Sequence, residues 1–118
     1  MRILADRSIW IHHFRRSDSR LVQALSQQQV LIHPIVIGEL ATGKLRDRPG
    51  ILADLQALPR IEEVTFTESL SFLEMHQLYA CGLGWSDIQL LASALLNGVS
   101  LWSSDKRLDA AARECRLR

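Results

Sequence analysis

Ile3-Leu4-Ala5-Asp6-Arg7-Ser8-Ile9-Trp10 is the stretch on which the reading of this chain turns. Three apolar residues make a short buried strand and a helix starts directly behind it, so Asp6 stands at the strand's carboxyl end. In open α/β sheets, ligands bind at that edge. An aspartate between strand and helix is also a common N-cap, accepting a bond from an orphan backbone N–H. Whether Asp6 is more than a cap depends on which other carboxylates reach the same edge.

Outward from there, Ile9, Trp10, Ile11 and Phe14 fall at helical spacing before the polar turn Arg15 to Ser19, and Leu21, Val22 and Leu25 mark a second helix. Val30-Leu31-Ile32-His33 reads as a second strand. Pro34 ends it and suits the first turn of a helix running to Thr42 or Gly43. Asp47-Arg48-Pro49-Gly50 reads as a breaker before an amphipathic helix with Ile51, Leu52, Leu55 and Leu58, which Pro59 closes. Ile61 to Val64 predicts a third strand. Thr67 opens a loose capping-box pattern and a helix through Leu70, Phe72, Leu73 and Met75 toward Cys81-Gly82. Ser86 to Asn97 is the most strongly helical stretch, stopped by Gly98. Val99 to Ser103 predicts a fourth strand, and Asp105 opens a last helix, with little room for a further strand beyond Cys115. Strands alternating with helices imply crossover connections, hence a central parallel sheet with helices on both faces. The expected architecture is one three-layer α/β/α domain over 1–118.

The totals agree with a single core: 118 residues, 47% hydrophobic. Lys plus Arg number 14 against 13 Asp plus Glu, so no global basic field announces nucleic acid, and any such binding needs a local patch. All of those cations except Lys44 and Lys106 are arginines, which suit bidentate phosphate contacts. Cys81 and Cys115 lack metal-ligand spacing and are too few for a disulfide framework, which fits a reducing cytosol. No signal-peptide pattern opens the chain and no apolar run reaches the roughly 18 to 20 residues of a membrane span. A soluble, cytoplasmic protein that does not enter membranes is the expectation.

Glu39 resists a bland reading. It lies four residues after Ile35 and three after Val36, so it should share their core-facing side, in mid-helix where no cap excuses it. Burying it unpaired would cost several kcal/mol or force protonation, and an arginine partner is the structural alternative. Asp87 precedes Leu90 and Leu91 by three and four residues in the first turn of its helix, where capping together with Ser86 also explains it. Asp105 follows the last strand as Asp6 follows the first. If those two strands are neighbours, Asp6, Glu39, Asp87 and Asp105 gather at one sheet edge. Two carboxylates about 4 Å apart repel by roughly 4 kcal/mol at an effective dielectric of 20, so such a cluster needs a counter-charge. An all-oxygen set without Cys or His favours Mg²⁺ or Mn²⁺ over zinc.

With these residues quoted, the chain resembles the PIN-domain ribonucleases and, more closely, VapC-type toxins of type II toxin–antitoxin pairs. The resemblance spans the chain through Ile3 to Ile11, His33 to Leu40, Gly84 to Asp87 and Leu101 to Leu108. It implies a divalent-metal site made by Asp6, Glu39, Asp87 and Asp105, with Ser8 and Ser103 as small hydroxyl residues beside it. It also implies phosphodiester hydrolysis in RNA, a homodimer, and a VapB-type antitoxin whose tail crosses the groove. One departure stands out: after the first aspartate the family usually has Thr, Ser or Asn, and this chain has Arg7. That guanidinium either pairs with the acidic cluster or points away to hold phosphate.

Arg7, Arg15, Arg16, Lys106 and Arg107 are candidate RNA contacts, with Arg20, Lys44, Arg46 and Arg48 as further framing cations. Trp85, between Gly84 and Ser86, is the candidate base-stacking residue; Trp10 and Trp102 read as packing. His12, His13, His33 and His76 lack ligand spacing. Two other readings compete. A receiver-like phosphoacceptor would want paired acids after the first strand, where Asp6 stands alone. A catalytically weak or inactive PIN-like scaffold binding RNA or a protein would need no metal.

Overall fold

The computed structural model describes residues 1–115. The stretch beyond Cys115, where no further strand was expected, lies outside the described residues. The chain begins with β1 (Ile3–Ala5), whose three residues are completely buried, and passes to α1 (Arg7–Arg16) and α2 (Ser19–Ser26). β2 (Val30–Leu31) follows, then α3 (Pro34–Ala41), α4 (Arg48–Ala57), α5 (Phe66–Met75) and α6 (Trp85–Leu96). β3 (Ser100–Trp102) and α7 (Lys106–Glu114) complete the described chain.

The sheet is parallel, in the order β2-β1-β3. Ile3 pairs with Val30 on one side and Ser100 on the other, and Asp6 N–H continues the second ladder to Trp102 O at 3.0 Å. The chain thus moves outward from β1 to β2, then back across β1 to β3. Right-handed crossovers in opposite directions put helices on both faces, as an α/β/α architecture requires. They also make the carboxyl end of β1 the point where the connections diverge, the usual site of a ligand crevice.

Leu4, Leu101, Leu91, Leu90, Leu21 and Val36 form the fully buried centre of the core. The strands are near-continuous apolar runs because both faces are covered. α6 is the most enclosed helix: Ile88, Leu90, Leu91, Ala92, Ser93 and Ala94 are all buried. Gly98, at φ +62, ends it and turns the chain into β3.

Several sequence expectations are corrected. Ile61 to Val64 forms no strand; the segment contributes only a parallel bridge, Ile32 to Arg60, where Ile61 N–H reaches Ile32 O at 3.0 Å. Pro59 lacks a donor and Glu62 and Glu63 remain exposed, so nothing extends this edge. Asp47-Arg48-Pro49-Gly50 is no breaker but the start of α4, capped by Asp47 and with Pro49 in the first turn, where its missing N–H costs nothing. The capping box belongs to Thr65, three residues before Glu68, with Glu68 returning a bond to Thr65 N–H at 2.8 Å. α5 ends at Met75, not near Cys81, because Gln77 and Ala80 take left-handed conformations that reverse the chain.

His33, like the other three histidines, has no ligand spacing, and it serves as a structural N-cap. It is buried, and its Nδ1 accepts from Ile35 N–H at 3.0 Å at the start of α3. Burial lowers its pKa below the usual 6.5, more than nearby Glu63 raises it. Protonating Nδ1 would remove the acceptor. The unfolded chain therefore binds the proton more readily, so this contribution is present above about pH 6.5 and is lost progressively below it. Urea unfolding of the wild type should show stability falling from pH 7.5 to 5.5, with a shallower fall in His33→Asn, which retains a capping oxygen. Equal slopes would refute the assignment.

Candidate active site

Asp6 is the most constrained side chain at the sheet edge. It caps α1, its Oδ1 accepting from Ser8 N–H at 3.0 Å, Ile9 N–H at 3.3 Å and the Ser8 hydroxyl. The Ser103 hydroxyl donates to its Oδ2 at 2.6 Å. Ser8 Oγ in turn accepts from Ser104 N–H at 2.8 Å, and Ser103 Oγ from Asp105 N–H at 3.0 Å. Two hydroxyl residues thus tie the ends of β1 and β3 around one buried carboxylate. A cap alone needs no such bracing. Four donors to one carboxylate fix its position.

Glu39 enters from α3. Val36 and Leu40 carry the buried stripe of that helix, and Glu39 lies on its flank, so it faces the sheet edge half-buried rather than pointing into the core as expected. Burial pushes its pKa up, Arg7 opposes this, and the charges of Asp87 and Asp6 raise it further, while a hydrogen bond from Ser86 favours the ionised form. The structure thereby brings Asp6, Glu39 and Asp87 within electrostatic reach of one another. The arginine alternative for Glu39 is also realised: Arg7 Nε stands 3.9 Å from Glu39 Oε2.

Asp87 sits in the first turn of α6, where its Oδ2 accepts from Gly84 N–H at 2.9 Å. Asp105 is placed differently. It is exposed and caps α7, accepting from Arg107 N–H at 2.9 Å and Leu108 N–H at 3.1 Å. It reaches the centre only through its backbone bond to Ser103, and it is not among the charges that perturb Glu39. Three of the four expected carboxylates therefore converge, and Asp105 stands at the rim. Ser86, which the sequence offers as a cap, instead supports Glu39, a meeting across distant parts of the chain that the sequence does not show.

The donor set consists of carboxylate and hydroxyl oxygens, with mutually repelling acids offset by a single arginine, and its chemistry fits a hard divalent cation such as Mg²⁺ or Mn²⁺. In the present side-chain positions no three acidic, His or Cys groups among the described residues enclose one point. Asp87 turns back to its own helix, and Glu39 leans on Arg7.

Beside the acids lies a cleft of about 660 Å³. Arg7, Arg15, Lys44 and Arg46 supply its positive charge, Ile11 and Phe14 part of its apolar floor, and Glu39 reaches its edge. Arg16 is exposed but outside the cleft. Two framing cations are structural: Arg48 donates to Ala41 O at 2.6 Å, and Arg20 lies 4.1 Å above the Trp102 ring. Lys106 is exposed at the start of α7, and Arg107 lies over Gly82, whose φ of +88 and lack of a Cβ admit it. Trp85 is exposed and packs on exposed Phe66 with ring centroids 5.5 Å apart, two residues before Asp87.

The PIN domain family matches residues 3–114. Ribonuclease VapC32 of Mycobacterium tuberculosis, from strains H37Rv and CDC 1551 / Oshkosh, is 43% identical over 113 residues, covering 95% of this chain and 91% of the relative. The crystal structure of PAE2754 from Pyrobaculum aerophilum superposes with a TM-score of 0.60 at 14% identity, covering all of this chain and 91% of that one, a likeness of fold.

Proposed function

The chain belongs to the PIN-domain family, among its VapC-type members, and from that premise we propose that it is a metal-dependent endoribonuclease, the toxin of a toxin–antitoxin pair. The observation carrying this reading is the convergence of Asp6, Glu39 and Asp87 from three separate elements on the carboxyl edge of the sheet, beside a cationic cleft. Substrate is RNA, whose backbone phosphates suit Arg15, Lys44 and Arg46, while Trp85 and Phe66 offer faces for an unpaired base.

Asp6, Glu39 and Asp87 would hold Mg²⁺ or Mn²⁺, with Asp105 contributing from the rim. A bound ion of this class supplies Lewis acidity, lowering the pKa of water and offsetting charge on the phosphate. The chain's own residues do the positioning. Ser8 and Ser103 hold Asp6 in one orientation, Ser86 orients Glu39, and the cleft cations align the strand for in-line attack. The VapC-type resemblance further supports a VapB-type antitoxin, a homodimer and a cytoplasmic setting. Among the described residues no helix is long and apolar enough to cross a membrane.

Purified protein should cleave a mixed RNA pool in Mg²⁺ or Mn²⁺, and cleavage should vanish both in EDTA and in Asp6→Asn. The Arg7–Glu39 pair favours one other reading, the binding scaffold. Well-folded protein that neither cleaves RNA nor binds metal would establish that reading instead.

A further inference from the structure

Among the described residues, Arg7 is the one cation placed to touch both the acidic centre and the cleft. As the first residue of α1 it follows Asp6 directly, its Nε lies 3.9 Å from Glu39 Oε2, and its side chain, 60% exposed, also lines the cleft with Arg15, Lys44 and Arg46. A single Nε contact at that distance between partly exposed groups is weak and readily exchanged. A phosphodiester offers the guanidinium two oxygens and bidentate geometry, a stronger bond. Glu39 in turn belongs to a cluster that repels itself, and Arg7 offsets that repulsion.

Resting on the metal-nuclease reading, we propose that Arg7 is a built-in counter-ion: it holds Glu39 in the resting protein, competes there with the divalent cation, and moves to a phosphodiester of the entering RNA. RNA binding and cation binding are then coupled. Whatever draws Arg7 off Glu39 frees that carboxylate, and by reciprocity a cation at Glu39 frees Arg7 for RNA. Arg7 is a positioning residue in this scheme, and the chain tolerates an arginine beside its first aspartate because the side chain has a second destination along the cleft that it already lines.

Direct titration of Mn²⁺ into RNA-free protein, followed calorimetrically, tests the first half. Arg7→Gln should bind Mn²⁺ on the order of tenfold more tightly than wild type, because a monovalent positive charge beside a divalent one is removed. Arg7→Lys, which keeps the charge, should stay within about threefold of wild type. Unfolding midpoints should match throughout, since the side chain is exposed. Equal Mn²⁺ affinity in wild type and Arg7→Gln would overturn the inference while leaving the nuclease reading intact. Failure of both proteins to bind Mn²⁺ would overturn both.

The second half is read in EDTA, from the affinity of a labelled mixed-sequence single-stranded RNA. Glu39→Gln should tighten binding in wild type by more than in an Arg7→Gln background, because only the former releases a guanidinium. A coupling of about threefold or more between the two positions is expected. Additive effects would show that Arg7 does not pass from Glu39 to RNA.

Discussion

Glu39→Gln is expected to lower RNA cleavage at least about 100-fold, in line with removal of one charge-stabilising group from an active site, while leaving the unfolding free energy within about 1 kcal/mol of wild type. Gln preserves the shape of the side chain and an oxygen that accepts the Ser86 hydrogen bond. It removes the charge that pairs with Arg7 and attracts a cation. Two stability effects oppose each other: a partly exposed ion pair is lost, and repulsion from Asp6 and Asp87 is relieved. Cleavage rates in Mn²⁺ and urea titrations on the same preparation check both statements. Unchanged cleavage would remove Glu39 from the site, and a large drop in stability would make it a structural acid. Asp105→Asn should cost less activity than Glu39→Gln, because Asp105 is exposed at the rim.

Asp6→Ala should cost about 2 to 4 kcal/mol of folding stability. That is a large share of the roughly 5 to 15 kcal/mol expected of a small domain. The substitution removes the cap of α1, including the acceptor for Ser8 N–H and Ile9 N–H, and leaves the Ser8 and Ser103 hydroxyls without their buried partner. It also unties β1 from β3 where both leave the sheet. Asp6→Asn keeps an acceptor oxygen at Oδ1, so it should retain most of the stability yet lose cleavage with the charge. Urea denaturation of the two variants separates the roles. If Asp6→Ala unfolds at the wild-type midpoint, the hydroxyl bracing carries no weight. If Asp6→Asn cleaves normally, the carboxylate is only a cap.

Most of the architecture was legible because it depends on local rules. The apolar run Ile3 to Ala5 had to be a buried strand, Pro34 had to open a helix, and Gly98 had to close one. The errors fall where local signals compete. Ile61 to Val64 has strand-like ends but an acidic middle, and at the sheet edge no second neighbour compensates. Asp47 to Gly50 contains two residues that break helices in mid-run but are harmless in a first turn. Thr65 and Thr67 both precede Glu68, and only the three-residue spacing lets the side chains bond reciprocally.

By itself the sequence determined the kinds of residue available to the site: carboxylates at strand ends and helix starts, hydroxyls beside them, and no Cys or His with ligand spacing. Those follow from periodicity and chemistry, which are written along the chain. Which acids meet was decided by the tertiary structure. Parallel pairing of β1 with β3 brings Ser103 to Asp6, and the fold sets Glu39 of α3 within reach of Asp87 and Ser86 of α6, while Asp105 caps its own helix. The destination of Arg7 was equally undecided in sequence, since an exposed guanidinium pairs with whichever anion lies within a few ångströms. Only the placement of α1 against α3 makes that anion Glu39.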